Sequence, residues 1–240
     1  MKRATEIIKS VARETESAIL FHSASGKDSI ALLDLMSPHF KEIVCVYMYV
    51  VKDLSHINRY ISYATAKYKN ARFIQVPHFS LSTFVRTGYM GCDCNPSQRK
   101  FNMVKIADTV RRNTGIEWSF YGFKQSDGLA RRIMLRGKDY EQEAIFRKTK
   151  KCYPLSSYKN GDVIEYIRSR NLIQPEQYYK LKHSQSSGTN ITDLGYLLWV
   201  RDNFPTDLAK ITRQFPGVEH ILYEYDYKAA QDERKETVTE

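Results

Sequence analysis

Four cysteines in 240 residues are too few for a disulfide scaffold in a chain of this size. None of them follows Cys152, so the last 88 residues offer no thiol nucleophile. No apolar run approaches the roughly 20 residues that a membrane-spanning helix needs. No apolar segment before Ala18 reads as a signal peptide, so a cytoplasmic chain with no membrane partner is expected. There is no internal repeat and no low-complexity segment. No Gly-x-x-x-x-Gly-Lys-Ser/Thr pattern occurs, which excludes a Walker A loop. Acid is in deficit: 27 Asp and Glu stand against 37 Lys and Arg, a net charge of +10. That imbalance favours anionic partners, whether nucleotides, sulfated or phosphorylated small molecules, or RNA.

The chain has 42 % hydrophobic residues, enough for a sizeable core. Apolar runs near 18–23, 42–50, 72–77 and 117–122 read as strands. Helical periodicity is expected near 2–16, 27–37, 54–69 and 97–113, with a loop carrying Gly88 and Gly91 before the last of these. Strands alternating with helices predict an α/β fold with a doubly wound, mostly parallel sheet. The second half changes character. A helix is expected near 160–170, a short one from Pro175, a polar loop over 183–190 and helical pattern over 191–213. The charged tail 229–240 reads as frayed. The expected division is a nucleotide-binding domain over 1–180 and a helical C-terminal extension over 181–240.

The most informative stretch is Leu20-Phe-His-Ser-Ala-Ser-Gly-Lys-Asp-Ser29. A buried strand meets a loop of small residues and then a helix. That geometry aims backbone N–H groups and a helix N-terminus at a phosphate, and small side chains let the anion approach. Ser23, Ser25, Gly26, Lys27, Asp28 and Ser29 are the candidate binding residues. Ser25 and Ser29 offer hydroxyls, and Lys27 offers charge. Asp28 is placed to cap the helix or to sit near a phosphate-bound metal. In parallel sheets ligands bind beyond the carboxyl ends of the strands, where this loop, His78 and the segment after Gly122 all fall. His22 adjoins the loop.

Residues 24–29 resemble the Ser-Gly-Gly-x-Asp-Ser pyrophosphate loop of the PP-loop superfamily, in its phosphoadenosine-phosphosulfate-reductase-like branch. Ala24 and Ser25 depart from that pattern, and Gly26-Lys27-Asp28-Ser29 keeps it. Three further segments follow in the family's order: Gly122–Arg132, Lys150–Leu155 as a basic-x-Pro-Leu strand, and Asp162–Ile167 as an Asp-Val-x-x-Tyr-Ile helix. The likeness spans roughly residues 15–180. It implies an adenine-nucleotide site for ATP or phosphoadenosine phosphosulfate with Mg²⁺. The reaction it implies lies at or beside the α-phosphate, as in the ATP pyrophosphatases and sulfonucleotide reductases. Lys124, where the family usually has arginine, joins the nucleotide site. Lys27, Asp28 and Arg131 are the catalytic candidates.

Orthodox sulfonucleotide reduction uses a cysteine near the C-terminus, which this chain lacks; the pyrophosphatase chemistry needs none. Cys45 lies in an apolar strand and reads as a buried thiol. Cys92 and Cys94, with Cys152 elsewhere, supply three thiolates that an iron–sulfur cluster or zinc would require. The Cys-x-Cys pair equally reads as a redox couple or as plain loop cysteines. Two other functions stay open: an RNA-modifying thiolase or ligase of the same superfamily, with Tyr178 and Tyr179 as aromatic surface candidates, and a nucleotide-binding protein without turnover. The second substrate is not identified by the residues.

Overall fold

The computed structural model describes residues 1–174 and 189–238, with side chains described as far as Gln231. Alternation decides the sheet. In β1 (Ser17–Phe21), Ala18 and Leu20 enter one core while Ile19 and Phe21 enter the other. In β2 (Glu42–Tyr49), Ile43, Cys45 and Tyr47 follow the first set, and Val44 and Val46 the second. Successive side chains of a strand point to opposite faces, so a strand apolar at every position is covered on both sides. β3 (Ala71–Pro77), β4 (Ser119–Tyr121), β5 (Ile145–Phe146) and β6 (Lys151–Cys152) complete a sheet of order β3-β2-β1-β4-β6-β5. Its pairings are parallel except β5 with β6. Leu20 lies opposite both Cys45 and Phe120, which puts β1 at the centre.

Helices cover both faces, as the doubly wound reading requires. α1 (Lys2–Ala12) buries Ala4, Ile7, Ile8 and Val11, one helical stripe. α2 (Lys27–Met36) is buried from Ser29 to its end. Its Asp34 receives Tyr68 Oη at 2.9 Å, Tyr166 Oη at 2.7 Å and Arg170 Nε at 3.1 Å. These bonds tie α3 (Ser55–Lys67) and α7 (Asn160–Ser169) to the helix that follows the loop. The Asp-Val-x-x-Tyr-Ile segment therefore positions α2, through Tyr166, and Asp162 starts α7 by accepting the Lys159 N–H at 2.7 Å.

Several expected elements differ. The loop after β3 contains α4 (Phe79–Thr87), because the His78 Nδ1 accepts the Ser80 N–H at 3.2 Å as an N-cap and Gly88 ends the helix at φ 62°. The following α5 (Met103–Thr114) starts later than 97, where Asn102 accepts the Lys105 N–H. The basic-x-Pro-Leu segment keeps only two strand residues, and β5 beside it was not foreseen. The pattern over 191–213 breaks into α8 (Leu194–Asn203) and α9 (Pro205–Gln214). A proline has no N–H to give and is tolerated only in a helix's first turn. The tail expected to fray continues α10 (Val218–Val238). The helix expected from Pro175, with Tyr178 and Tyr179, and all but the end of the polar loop lie outside the described residues. Among the described residues no helix is long and apolar enough to cross a membrane.

α8, α9 and α10 pack into the same core as the sheet, through Tyr196, Leu197, Val200, Ile211, Phe215, Val218 and Leu222. Asp207 of α9 is wholly buried and accepts the Ser55 and His56 N–H groups at 2.8 and 3.1 Å and His56 Nδ1 at 2.9 Å. It thereby caps α3 from 150 residues away in sequence. Burial pushes its acidity down in strength, but these donors outweigh burial and hold the carboxyl below the usual range.

Candidate active site

The chain lays β2 and β3 on one side of β1 and then returns to place β4 on the other. A crevice forms where strand order reverses in this way. A cleft of about 570 Å³ opens there, lined by Phe21 to Ser23 at the end of β1, Tyr47 and Met48 of β2, and Tyr121 to Phe123 at the end of β4. His78 and Phe79 close it beyond β3, Met103 of α5 borders it, and Arg131 of α6 (Leu129–Leu135) reaches in.

The small-residue loop is held by its own side chains. Ser29 Oγ accepts the Ser23 N–H at 2.9 Å and shares a hydrogen bond with Ser23 Oγ at 3.0 Å. These serines brace the turn as well as facing the cleft. Ala24 is buried at φ 51°, a left-handed conformation that costs a non-glycine residue about 1–2 kcal/mol. Gly26 has ordinary extended angles, but a Cβ there would lie 2.3 Å from Ser23 Oγ. A side chain at 26 would therefore push the Ser23 hydroxyl off its hydrogen bond with Ser29 Oγ.

Beyond the loop stands a chain of alternating charge. Lys27 Nζ lies 2.9 Å from Asp28 Oδ2, and Lys124 Nζ lies 2.8 Å from Asp28 Oδ1 and 2.9 Å from Asp127 Oδ1. Lys124 is wholly buried, so its ammonium is neutralised by these carboxylates and not by water. Asp127 also accepts the Lys124 backbone N–H at 2.8 Å. Gly122 makes the arrangement possible: a Cβ on it would meet Asp28 Cβ at 3.0 Å. β4 and the start of α2 are thus pressed together at the loop.

Aromatic rings form one wall. Phe21 and Tyr121 stack with centroids 4.9 Å apart, and Tyr121 and Phe123 at 5.7 Å. The Arg131 guanidinium sits 3.6 Å from the Phe123 centroid, a cation–π contact that holds it over the cleft. On the opposite side His22 is buried, its Nε2 3.2 Å from Tyr60 Oη, and burial lowers its pKa to about 3. Its Nδ1 has no hydrogen-bond partner among the described residues. Burial also lowers the His78 pKa. Since His78 Nδ1 accepts the Ser80 N–H, its proton resides on Nε2. Both imidazoles are uncharged at neutral pH.

The expected site residues divide. Ser23, Asp28, Ser29 and Arg131 line the cleft. Lys27 and Lys124 reach it through Asp28. Ser25 lines instead a narrow cavity of about 20 Å³ with His56, Arg59 and Tyr60. Phe79, Met103 and Phe123 were not singled out from sequence. Phe79 and Phe123 were readable from their places just after β3 and β4, but Met103 reaches the cleft from the start of α5, which no strand-end rule indicates. The basic stretch also divides. Arg111 donates to Ser119 Oγ and the Thr149 carbonyl, and Arg147 pairs with Glu14 and Glu141, near the opposite ends of β4 and β6.

The three-cysteine centre is not assembled. Cys152 is buried in β6, while Cys92 and Cys94 donate to the carbonyls of Phe84 and Arg86 in α4, beyond β3. β3 and β6 are four strand spacings apart, roughly 19 Å. Among the described residues no group of three or more His, Cys, Asp or Glu side chains is placed to hold a metal. Protein-held Mg²⁺ does not fit either. Asp28 already lies between two ammonium groups and Asp127 shares one of them, so a dication there would meet like charge.

Three solved structures share features of this architecture. U34-tRNA thiolase NcsA from Methanococcus maripaludis, with its [4Fe-4S] cluster, is 16 % identical with a TM-score of 0.47, covering 92 % of this chain and 78 % of that one. Phosphoadenylyl-sulfate reductase from Candida auris, in a phosphate complex, is 13 % identical with a TM-score of 0.47, covering 73 % and 83 %. NH3-dependent NAD synthetase from Campylobacter jejuni is 12 % identical with a TM-score of 0.44, covering 90 % and 93 %. No curated protein sequence matches the chain. The family model of the phosphoadenosine phosphosulfate reductase domain matches residues 18–184, from β1 through the loop, the charge chain and α7. That match takes in more than half of the sequence, and the chain belongs to the phosphoadenosine phosphosulfate reductase domain family.

Proposed function

We propose that this chain is an adenine-nucleotide-binding enzyme that acts at or beside the α-phosphate of ATP or a sulfonucleotide. One observation supports the reading above others. A wholly buried lysine, Lys124, fixes Asp28 beside Lys27 at the start of α2, in the crevice where the strand order reverses. Such a charge chain is costly to bury and is repaid where an anion binds. In this reading the phosphates lie against the Ser23–Ser29 loop, beside the Lys27–Asp28 pair that buried Lys124 holds in place. Arg131, held over Phe123, approaches from the other side. The base is left to the uncharged part of the cleft, among aromatic rings and neutral imidazoles.

The chemistry that suits this arrangement is nucleophilic attack on the α-phosphorus. A bond forms from the nucleophile to phosphorus, and the bond to the leaving group breaks. The leaving group departs with the electron pair, and the fixed cations stabilise the charge that accumulates on it. A nucleotide bound with Mg²⁺ on its phosphates would bring further charge neutralisation to these residues. None of the four cysteines lines the cleft among its described lining residues, and burial raises the Cys92 thiol pKa. The nucleophile is therefore assigned to a second substrate and not to a protein thiol. The test is incubation with ATP and, separately, phosphoadenosine phosphosulfate, with products resolved by chromatography. Pyrophosphate or AMP in the first, dependent on Lys124, supports the proposal. Failure of calorimetry to detect binding of either nucleotide overturns it.

A further inference from the structure

Two segments that border the cleft are conspicuous for their charge. Residues 97–107, around the start of α5, carry three cations and no acid. Residues 128–138, containing α6, carry four cations and no acid. In a chain with 27 acidic residues, both stretches reach the same opening, through Met103 and Arg131. Arg131 is taken up by Phe123, and Arg136 by Gln125 and Glu143. The other five, Arg99, Lys100, Lys105, Arg132 and Lys138, are exposed, and none has an ion pair or side-chain hydrogen bond among the described residues. In the proposed function Lys27 and Arg131 already serve the anion inside the cleft, with buried Lys124 holding Asp28. Five more unpaired cations outside it exceed what one mononucleotide requires.

The same opening presents a ring stack. Phe79 is 37 % exposed, with its ring 4.1 Å from that of His78, and both line the cleft. Unpaired cations follow a phosphodiester backbone, and an accessible ring stack takes an unpaired base; a duplex keeps its bases from such a platform. We infer that a single-stranded polynucleotide lies across the mouth of the cleft, with its backbone on the cations in and flanking α5 and α6 and a base on the Phe79–His78 stack. It is the second substrate of the reaction proposed above. The assignment of chemistry rests on that proposal, and the binding itself does not.

Fluorescein-labelled single-stranded 20-mers of RNA and of DNA, of one mixed sequence, are the probes, read by anisotropy from 50 to 300 mM salt. If all five cations neutralise a phosphate, log K falls against log salt with a slope of about −3.5. The triple variant Arg99→Glu, Lys100→Glu, Arg132→Glu should weaken binding at least tenfold. Phe79→Ala should weaken it without changing the salt slope. The control is Arg112→Glu, Lys148→Glu. These residues line a separate basic groove with Lys150, near the opposite end of β4, and the change should cost less than threefold. Circular dichroism confirms folding, and calorimetry with ATP is run on every variant. Preference for one strand assigns the sugar, and equal binding supports recognition of the shared backbone. Absence of strand binding at 50 mM salt, or an equal loss in the control, overturns the inference even where ATP still binds. Strand binding without binding of either ATP or phosphoadenosine phosphosulfate overturns the nucleotide proposal alone.

Discussion

Lys124→Met is the sharpest perturbation of the site. The substitution keeps most of the buried stem and removes the ammonium that Asp28 and Asp127 share at 2.8 and 2.9 Å. Removing one partner of a fully buried pair costs 3–5 kcal/mol, and an exposed pair contributes at most about 1 kcal/mol. The lysine is wholly buried, but the Asp28 and Asp127 side chains are 23 % and 31 % exposed, so water relieves part of the loss. The expected destabilisation is about 2–3 kcal/mol. That corresponds to a Tm lowered by roughly 5–10 °C for a chain of this length. Without that ammonium Asp28 is no longer held beside Lys27 and its charge is uncompensated at the loop, so ATP binding should weaken by about 1.5–3 kcal/mol, or roughly 10- to 150-fold. Urea melts and calorimetry measure the two effects separately. A double-mutant cycle with Asp127→Asn isolates the pair, and Lys124→Arg should recover most of the binding. A folded Lys124→Met protein that binds ATP within twofold of wild type would refute the reasoning: the charge chain would then be structural only.

Four further outcomes are expected. Gly26→Val places a branched side chain where a Cβ already meets Ser23 Oγ at 2.3 Å, so nucleotide binding should disappear in calorimetry while circular dichroism stays unchanged. His22 is neutral in the folded chain and protonates in the unfolded one below about pH 6.5. As pH falls from there towards 3, this contributes a loss of about 1.4 kcal/mol of stability per unit, which His22→Gln should remove; parallel slopes in the two proteins would count against it. Asp207→Ala should cost about 3 kcal/mol in urea melts at pH 7, through the lost cap and the bond to His56. Because the folded carboxyl is more acidic than the unfolded one, that gap should be constant above about pH 5 and narrow as acid protonates it. Finally, phosphoadenosine phosphosulfate with a dithiol reductant should yield no sulfite; sulfite that vanishes in Cys92→Ser, Cys94→Ser would make the chain a reductase with a relocated thiol.

The sheet was legible because β1 and β2 are apolar at consecutive positions, a pattern only a strand covered on both faces supports. The loop was legible because strand, small residues and helix are local features. α4 was not, since its cap is a histidine ring whose role depends on how the chain turns after β3. The two-residue β5 and β6 carry too little periodicity to announce themselves.

Local sequence determined the elements that need only their own neighbours: the buried strands, the small-residue loop and its Gly-Lys-Asp-Ser half, and the family to which they belong. Tertiary structure alone decided which charges meet. Asp28 and Lys124 are far apart in sequence, and β1–β4 pairing with the absent side chain of Gly122 brings them to 2.8 Å. The same pairing separates Cys152 from Cys92 and Cys94 and parts Arg131 from Arg111, since strand order is set by non-local packing that no short stretch of chain encodes.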